Sequence, residues 1–287
     1  MSEVTQRLNE KKMGRYFFGF FKYFMCILAS IISLVPVVVC LFTAFKTDVE
    51  YTSTNVLTLP KSFLYLDNFK IAFQRANMLN GFKNTLIVLI FVLFLSVMIS
   101  AMIAYILDRF TFPGNKLIRD LFLFASLLPG IAMQVTVYQI MFNLGLINHL
   151  YGYIIVLCGT DIISIYIFLQ FFESLPTTLD EAAIIDGCTY YGVFFKILLP
   201  LLKPAIVTSC LLKGVGVYNE YYMSSLYLQA SQLKTISTAL YTFTGPYGNQ
   251  YNYICAGVLI TIAPILILFL FFQRQVYGGM AAGAVKE

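Results

Sequence analysis

Three ionisable side chains sit inside stretches that are otherwise apolar: Asp161, Lys213 and Glu220. A charge in hydrocarbon is costly unless it is paired or wetted, so each marks a candidate functional position. Asp161 lies eleven residues into the apolar run that begins at Leu150, and Lys213 lies nine residues beyond Pro204. At about 1.5 Å per helical residue both reach roughly 14–17 Å into a bilayer, near its midplane. Two readings are open. The pair is a structural ion pair, or it lines a wet cavity where a carboxylate and an ammonium meet the hydroxyls of a solute. Glu220 is flanked by Tyr218, Asn219 and Tyr221. Tyrosine rings stack on sugar faces while their hydroxyls bond sugar OH groups, which adds these four residues to a candidate translocation path. Tyr222 and Tyr227 suit instead the aromatic belt at a membrane interface.

These positions need helices that cross a membrane. Of 287 residues, 59% are hydrophobic and 11% are charged. A soluble domain is roughly 45–50% apolar and about a quarter charged, so lipid must solvate much of this chain. No long charged stretch marks an attached soluble domain, and a net charge of +5 requires no nucleic-acid partner. Six runs have the roughly 20 apolar residues a span requires: 23–45, 85–107, 121–142, 150–172, 204–226 and 253–272. The pattern predicts an all-α integral membrane protein with six transmembrane helices, kinked at Pro36, Pro129 and Pro264. Residues 1–22 read as a polar N-terminal segment and 23–45 as a retained first helix. Residues 46–84 read as a long outer loop, 85–273 as a five-helix core, and 274–287 as a tail. Six spans put both termini on one side. Twelve Lys and Arg fall there against six opposite, which makes that side cytoplasmic.

Chemistry of other kinds finds no support. The six cysteines form no CxxC pair, and His149 is the single histidine, so neither a metal centre nor a disulfide framework is expected. No GxxxxGK[ST] loop is present, so any ATP and Mg belong to a partner. The chain reads as a transport subunit and not as an enzyme.

The segment 173–203 is too polar to span and too rich in helix formers for a plain loop. Pro176 and Thr177–Thr178 start a helix, with Asp180 and Glu181 in its first turn, where acids suit the helix dipole. The helix is expected over 179–186 and ends on Gly187 as a left-handed cap. A second helical stretch is expected over 190–199, broken by Pro200. By pattern alone this is an interfacial helix linking two spans, or a docking element for another protein.

Glu181-Ala182-Ala183, then Gly187, then Ile197-x-Leu199-Pro200 resembles the EAA signature of binding-protein-dependent ABC importer permeases. Other segments are similar to the maltose/multiple-sugar branch of that family. They are Asn84-Thr85, Ala104-Tyr105 with Arg109, Phe112-Pro113-Gly114, Gly145-Leu146-Ile147-Asn148 and Tyr218-Asn219-Glu220-Tyr221. The tail Gly278…Gly283-Ala284-Val285-Lys286 matches too, and the likeness runs from Asn68 to the C-terminus. Tyr218 stands where the branch usually has Trp, and the chain has no Trp.

The resemblance implies a type I ABC importer permease fold in a bacterial plasma membrane. It implies that Glu181, Ala182, Ala183, Asp186, Gly187, Leu199 and Pro200 couple to an ATP-hydrolysing subunit. The expected partners are a second homologous permease, two ATP-binding subunits, an extracellular solute-binding protein, a sugar substrate and lipid. The outer loop 228–252 ends in a Gly- and Pro-rich turn. Its Gly245, Pro246, Tyr247, Gly248 and Asn249 are expected to contact the receptor. Rival classes are an ion-coupled secondary transporter using Asp161 and Lys213, a membrane scaffold and a membrane enzyme. ATPase activity that appears only with a nucleotide-binding partner separates the first reading from these.

Overall fold

Within lipid a backbone must satisfy its own hydrogen bonds, and apolar runs of this length do so as helices. The structure, a computed structural model, describes residues 2–128, 130–159, 161–245 and 249–284, with the backbone alone for 2–17, 272 and 274–284. In chain order the helices are α1 (Ser2–Ala44), α2 (Asp48–Ser53), α3 (Asp67–Arg75), α4 (Met78–Arg109) and α5 (Asn115–Ser126). Next come α6 (Gly130–Asn143), α7 (Leu150–Leu157), α8 (Ile162–Ser174), α9 (Thr178–Ile185) and α10 (Tyr190–Gly192). The last are α11 (Leu199–Leu201), α12 (Lys203–Asn219), α13 (Tyr222–Tyr227), α14 (Ile236–Ala239) and α15 (Tyr251–Ala284). A π-helical stretch, Val193–Leu198, joins α10 to α11, and no strand occurs among the described residues.

Three segments are long and apolar enough to cross a membrane: Phe18–Ala44, Met78–Arg109 and Tyr251–Phe271. Three bent helix pairs raise the number to six if each pair is one span. The expected all-α membrane architecture is present, but the middle spans are not continuous helices. The 121–142 run divides between α5 and α6, and Pro129, expected as its kink, lies outside the described residues. The 150–172 run divides into α7 and α8, bent by 50°. Asp161 therefore stands at a helix start, and its carboxylate accepts from the Ser164 amide as an N-cap. The 204–226 run ends its helix at Asn219, because Glu220 is extended and its Oε1 accepts from Met223 N to start α13. Pro200 does not break the stretch before it. It lies in α11 directly after the π-helical stretch, the helical backbone continues through it, and the 76° bend falls beyond Leu201. Pro36 and Pro264 lie inside α1 and α15, which continue through them.

The chain forms two compact units. One comprises Met1–Arg75 and Phe243–Ile262. Its loop 46–66 is pinned by buried polar groups. Asn68 Nδ2 donates to the carbonyls of Ala44 (2.8 Å) and Lys46 (2.7 Å). The Lys46 ammonium donates to Asn55 O (2.7 Å) and Thr54 Oγ1 (3.1 Å). Thr47 and Glu50 form a capping box on α2, and Asp48 accepts from Asn252 Nδ2 (2.6 Å) and the Tyr253 hydroxyl (3.0 Å).

The other unit comprises Ala76–Thr242 and Ala263–Glu287, with α4 as its central helix, packed chiefly on α8 and α12. Tyr105, Phe168, Phe172, Val193, Leu198 and Ala205 belong to one core cluster at the Arg109 end of α4. At the other end, Asn84 Nδ2 donates to Gln232 O (2.9 Å) and Lys234 O (3.0 Å), and Thr85 Oγ1 accepts from Ile236 N (2.9 Å). The Gly145–Asn148 turn uses positive φ at both ends, 68° and 62°. Asn148 N donates to Tyr227 O (2.8 Å), and its Oδ1 accepts from Ala230 N (2.9 Å). Tyr227, expected in an interfacial belt, is instead buried edge-on against Tyr138. Gly152 completes the turn by close approach: a Cβ there would stand 2.0 Å from the Leu146 carbonyl oxygen. Gly152→Ala is expected to destabilise the chain by about 1–3 kcal/mol through forced displacement of that turn. An unchanged melting midpoint in detergent would contradict the contact.

Candidate functional site

The end of α7, the start of α8 and the end of α12 bound a cavity of about 310 Å³. Asp161, Ser164, Lys213 and Glu220 contribute its polar wall, with Leu157 and Leu212 among the apolar residues. Lys213 Nζ lies 4.0 Å from Asp161 Oδ2, and their side chains are 22% and 12% exposed, so the pair is largely enclosed yet reachable from the cavity. The carboxylate is held from the protein side. Its Oδ2 accepts from Ser164 Oγ (2.8 Å) and its Oδ1 from Ser164 N (3.4 Å). Ser164 Oγ is in turn hydrogen-bonded to Ser209 Oγ, a fully buried group on α12. Ser100 Oγ on α4 reaches the Asp161 carbonyl at 3.4 Å. Three helices thus converge on Asp161. Chemically, the wall offers two carboxylates as acceptors and one ammonium as donor, a set that bonds hydroxyls by both roles.

The structure gathers Asp161, Lys213 and Glu220 of the six path candidates. The other three do not line this cavity. Asn219 is exposed and donates to Val215 O within its own helix (3.0 Å). Tyr221 is exposed with its ring 6.1 Å from that of Tyr241, and Tyr218 is half-buried. Ser164 and Ser209 are absent from the residues that sequence reasoning selects. The spacing of Asp161 and Ser164 is that of an N-cap and its third residue, a signal hidden by the surrounding apolar run.

Residues 173–203 carry a second candidate surface. Helix α9 occupies Thr178–Ile185, Asp186 caps it, and Gly187 has φ +85°, the left-handed value that favours glycine. Glu181, Ala182, Ile184, Ile185, Asp186 and Gly187 are exposed, and Ile185 is 85% exposed. Ala183 is not part of that surface. It is 5% exposed and packs in the core with Phe172, Val193 and Leu198, because the helix turns this position inward. Leu199 is half-buried and Pro200 exposed. Asp180 also faces inward. Burial pushes its carboxyl up from the ordinary value, and the Arg109 guanidinium opposes that shift.

Gly245 and Asn249 of the expected receptor turn are exposed, while Pro246, Tyr247 and Gly248 lie outside the described residues. The loop before it is not a plain projecting turn, since Ile236, Thr238 and Ala239 of α14 are buried. Among the described residues no group of three His, Cys, Asp or Glu could hold a metal ion.

No family model matches the chain. It is similar to the arabinooligosaccharides transport system permease protein AraQ of Halalkalibacterium halodurans, at 33% identity over 259 residues, 90% of this chain and 92% of that one. It is also similar to the probable starch degradation products transport system permease protein AmyC of Thermoanaerobacterium thermosulfurigenes. The identity there is 32% over 275 residues, 93% of this chain and 97% of that one. In fold it resembles a chain from the crystal structure of a bacterial ABC transporter involved in the import of the acidic polysaccharide alginate. The TM-score is 0.79 at 19% identity, over 90% of this chain and 95% of that chain.

Proposed function

The chain belongs to the permease family of ABC importers, and from that premise we propose that it is one of two membrane-spanning subunits passing a sugar or oligosaccharide across the bacterial plasma membrane. An extracellular solute-binding protein delivers the solute, and two ATP-binding subunits supply the energy. ATP and Mg stay on those subunits. The second permease is a homologue of this chain, and both termini are cytoplasmic, as the bias of Lys and Arg supports.

The observation that carries the reading is the exposed face of α9. Its Ile184 and Ile185 stand out in solvent beside Glu181 and Asp186, on a helix of eight residues with a sharp glycine stop. Short amphipathic knobs of this kind fill a groove on a partner. The cavity at Asp161, Lys213 and Glu220 supports the solute class. Its donors and acceptors suit a polyhydroxylated molecule, and the names of the relatives refer to oligosaccharides and starch fragments. Ion-coupled transport through Asp161 and Lys213 leaves the exposed face of α9 without a role.

The test is reconstitution in liposomes with the second permease, the ATP-binding subunits and the binding protein. Oligosaccharides of increasing length are supplied. ATP hydrolysis is expected to rise with liganded binding protein, and uptake to require ATP. Uptake by this chain alone, driven by a proton gradient, would replace the reading with secondary transport.

A further inference from the structure

Arg109 is the last residue of α4, and its guanidinium binds three chain segments at once. Nε lies 2.7 Å from Asp180 Oδ2 on α9. One terminal nitrogen lies 2.6 Å from Asp108 Oδ2 on α4. The other donates to the carbonyl of Leu175, the C-cap of α8, at 2.9 Å. The side chain is 8% exposed, and its charge stands 5.9 Å from the centre of the Phe172 ring. A second arginine extends the network: Arg119 on α5 donates to Leu107 O (2.8 Å) and lies 3.5 Å from Glu173 Oε1.

The helices joined here lead to the cavity. Helix α8 starts at Asp161, the carboxylate paired with Lys213, and ends at the carbonyl Arg109 holds. It is a rod of 13 residues, about 20 Å long. Helix α4 reaches the same point through Ser100, whose hydroxyl meets the Asp161 carbonyl. Pulling α9 away while α4 and α8 stay still strands the largely buried Asp180 carboxylate, which the low-dielectric interior penalises heavily, and leaves the guanidinium with Asp108 and Leu175 alone. The three segments therefore move together or the latch breaks.

We propose that Arg109 is a positioning residue of the coupling step, latching α9 to α4 and α8 so that a displacement of α9 is delivered to the Asp161 end of α8. The proposal rests on the reading that α9 docks on an ATP-hydrolysing subunit. The geometry demands arginine. A planar guanidinium hydrogen-bonds Asp108 and the Leu175 carbonyl through its two terminal nitrogens while its Nε stands in ion-pair contact with Asp180, whereas a lysine ammonium is a point charge on a flexible stem and cannot reach all three.

The test uses the whole transporter in proteoliposomes and measures solute moved per ATP hydrolysed. Arg109→Lys keeps the charge, and Asp180→Asn keeps the shape of the partner while removing its charge. In both, assembly and binding-protein-stimulated hydrolysis are expected to stay within about two-fold of the original, while solute moved per ATP falls at least about five-fold, the lower end of measured coupling between sites. The double variant is expected to be no worse than either single one, since both break one latch. An unchanged ratio in both variants overturns the proposal. So does a parallel loss of assembly, hydrolysis and transport, which marks Arg109 as a purely structural residue. Hydrolysis that ignores the binding protein in the unsubstituted transporter overturns the functional reading itself, a result visible before any variant is made.

Discussion

Ile185→Asp is expected to leave the chain folded and inserted while removing the hold on an ATP-binding subunit that we propose for α9. Ile185 is 85% exposed in the free chain, so the substitution touches nothing in the fold, and exposed changes of this kind stay within about 0.5 kcal/mol. In a docked complex the same side chain is the largest apolar projection of α9. Burying it contributes about 1.5–3 kcal/mol, and a carboxylate in its place adds a desolvation cost. At about 1.4 kcal/mol per decade, affinity falls at least tenfold and stimulated hydrolysis falls with it. Ala183→Trp gives the contrast. Ala183 is buried in the core cluster that also holds Phe172 and Leu198, so a bulky ring there is expected to lower the melting midpoint and the yield of inserted protein before docking is reached. Co-purification of the ATP-binding subunit with each variant, beside a melting curve in detergent, separates the two. Full retention of the partner by Ile185→Asp at normal stability would remove α9 from the interface.

That contrast shows which parts of the molecule its sequence makes legible. Hydropathy locates the membrane runs, because burial in lipid needs about twenty apolar residues whatever the partner helices do. The Gly187 stop is legible because a left-handed backbone leaves few choices of residue, and φ there is +85°. The direction of Ala183 is not. One residue turns a helix by about 100°, and a signature of three consecutive residues spans most of its circumference. The breaks inside the spans are hidden for a similar reason. Hydropathy averages over a window, so the run reads as one apolar span while α7 ends at Leu157 and Asp161 caps α8. Pro200 misleads in the opposite direction, because proline disfavours a helix interior yet the helical backbone continues through it in α11. The Arg109 latch is invisible for a different reason. Its partners beyond α4 lie 66 and 71 residues away at Leu175 and Asp180, and the adjacent Asp108 does not reveal them.

Removing both charges of the Asp161–Lys213 pair is expected to restore folding and to leave transport impaired. Lys213→Met alone strands the Asp161 carboxylate, and Asp161→Asn alone strands the Lys213 ammonium, with Glu220 as the remaining acid of the cavity wall. An unpaired charge at the centre of a span costs about 2.5–3.5 kcal/mol on insertion scales, so each single variant is expected to reach the membrane at reduced yield. Asparagine is the appropriate replacement, because it caps a helix about as well as aspartate and keeps the start of α8 at Ile162. The double variant Asp161→Asn/Lys213→Met then contains neither half of the broken pair and should recover its yield and melting midpoint, with Glu220 held by the Met223 amide. Transport should not recover with it. The cavity loses its donor and its main acceptor together, and two charge-assisted hydrogen bonds to a solute are worth about 1.5–3 kcal/mol each. Solute uptake should fall by at least about tenfold, while hydrolysis stimulated by the binding protein is kept. Normal uptake by a well-folded double variant would reduce Asp161 and Lys213 to a structural pair, and the path through this subunit would have to be sought elsewhere.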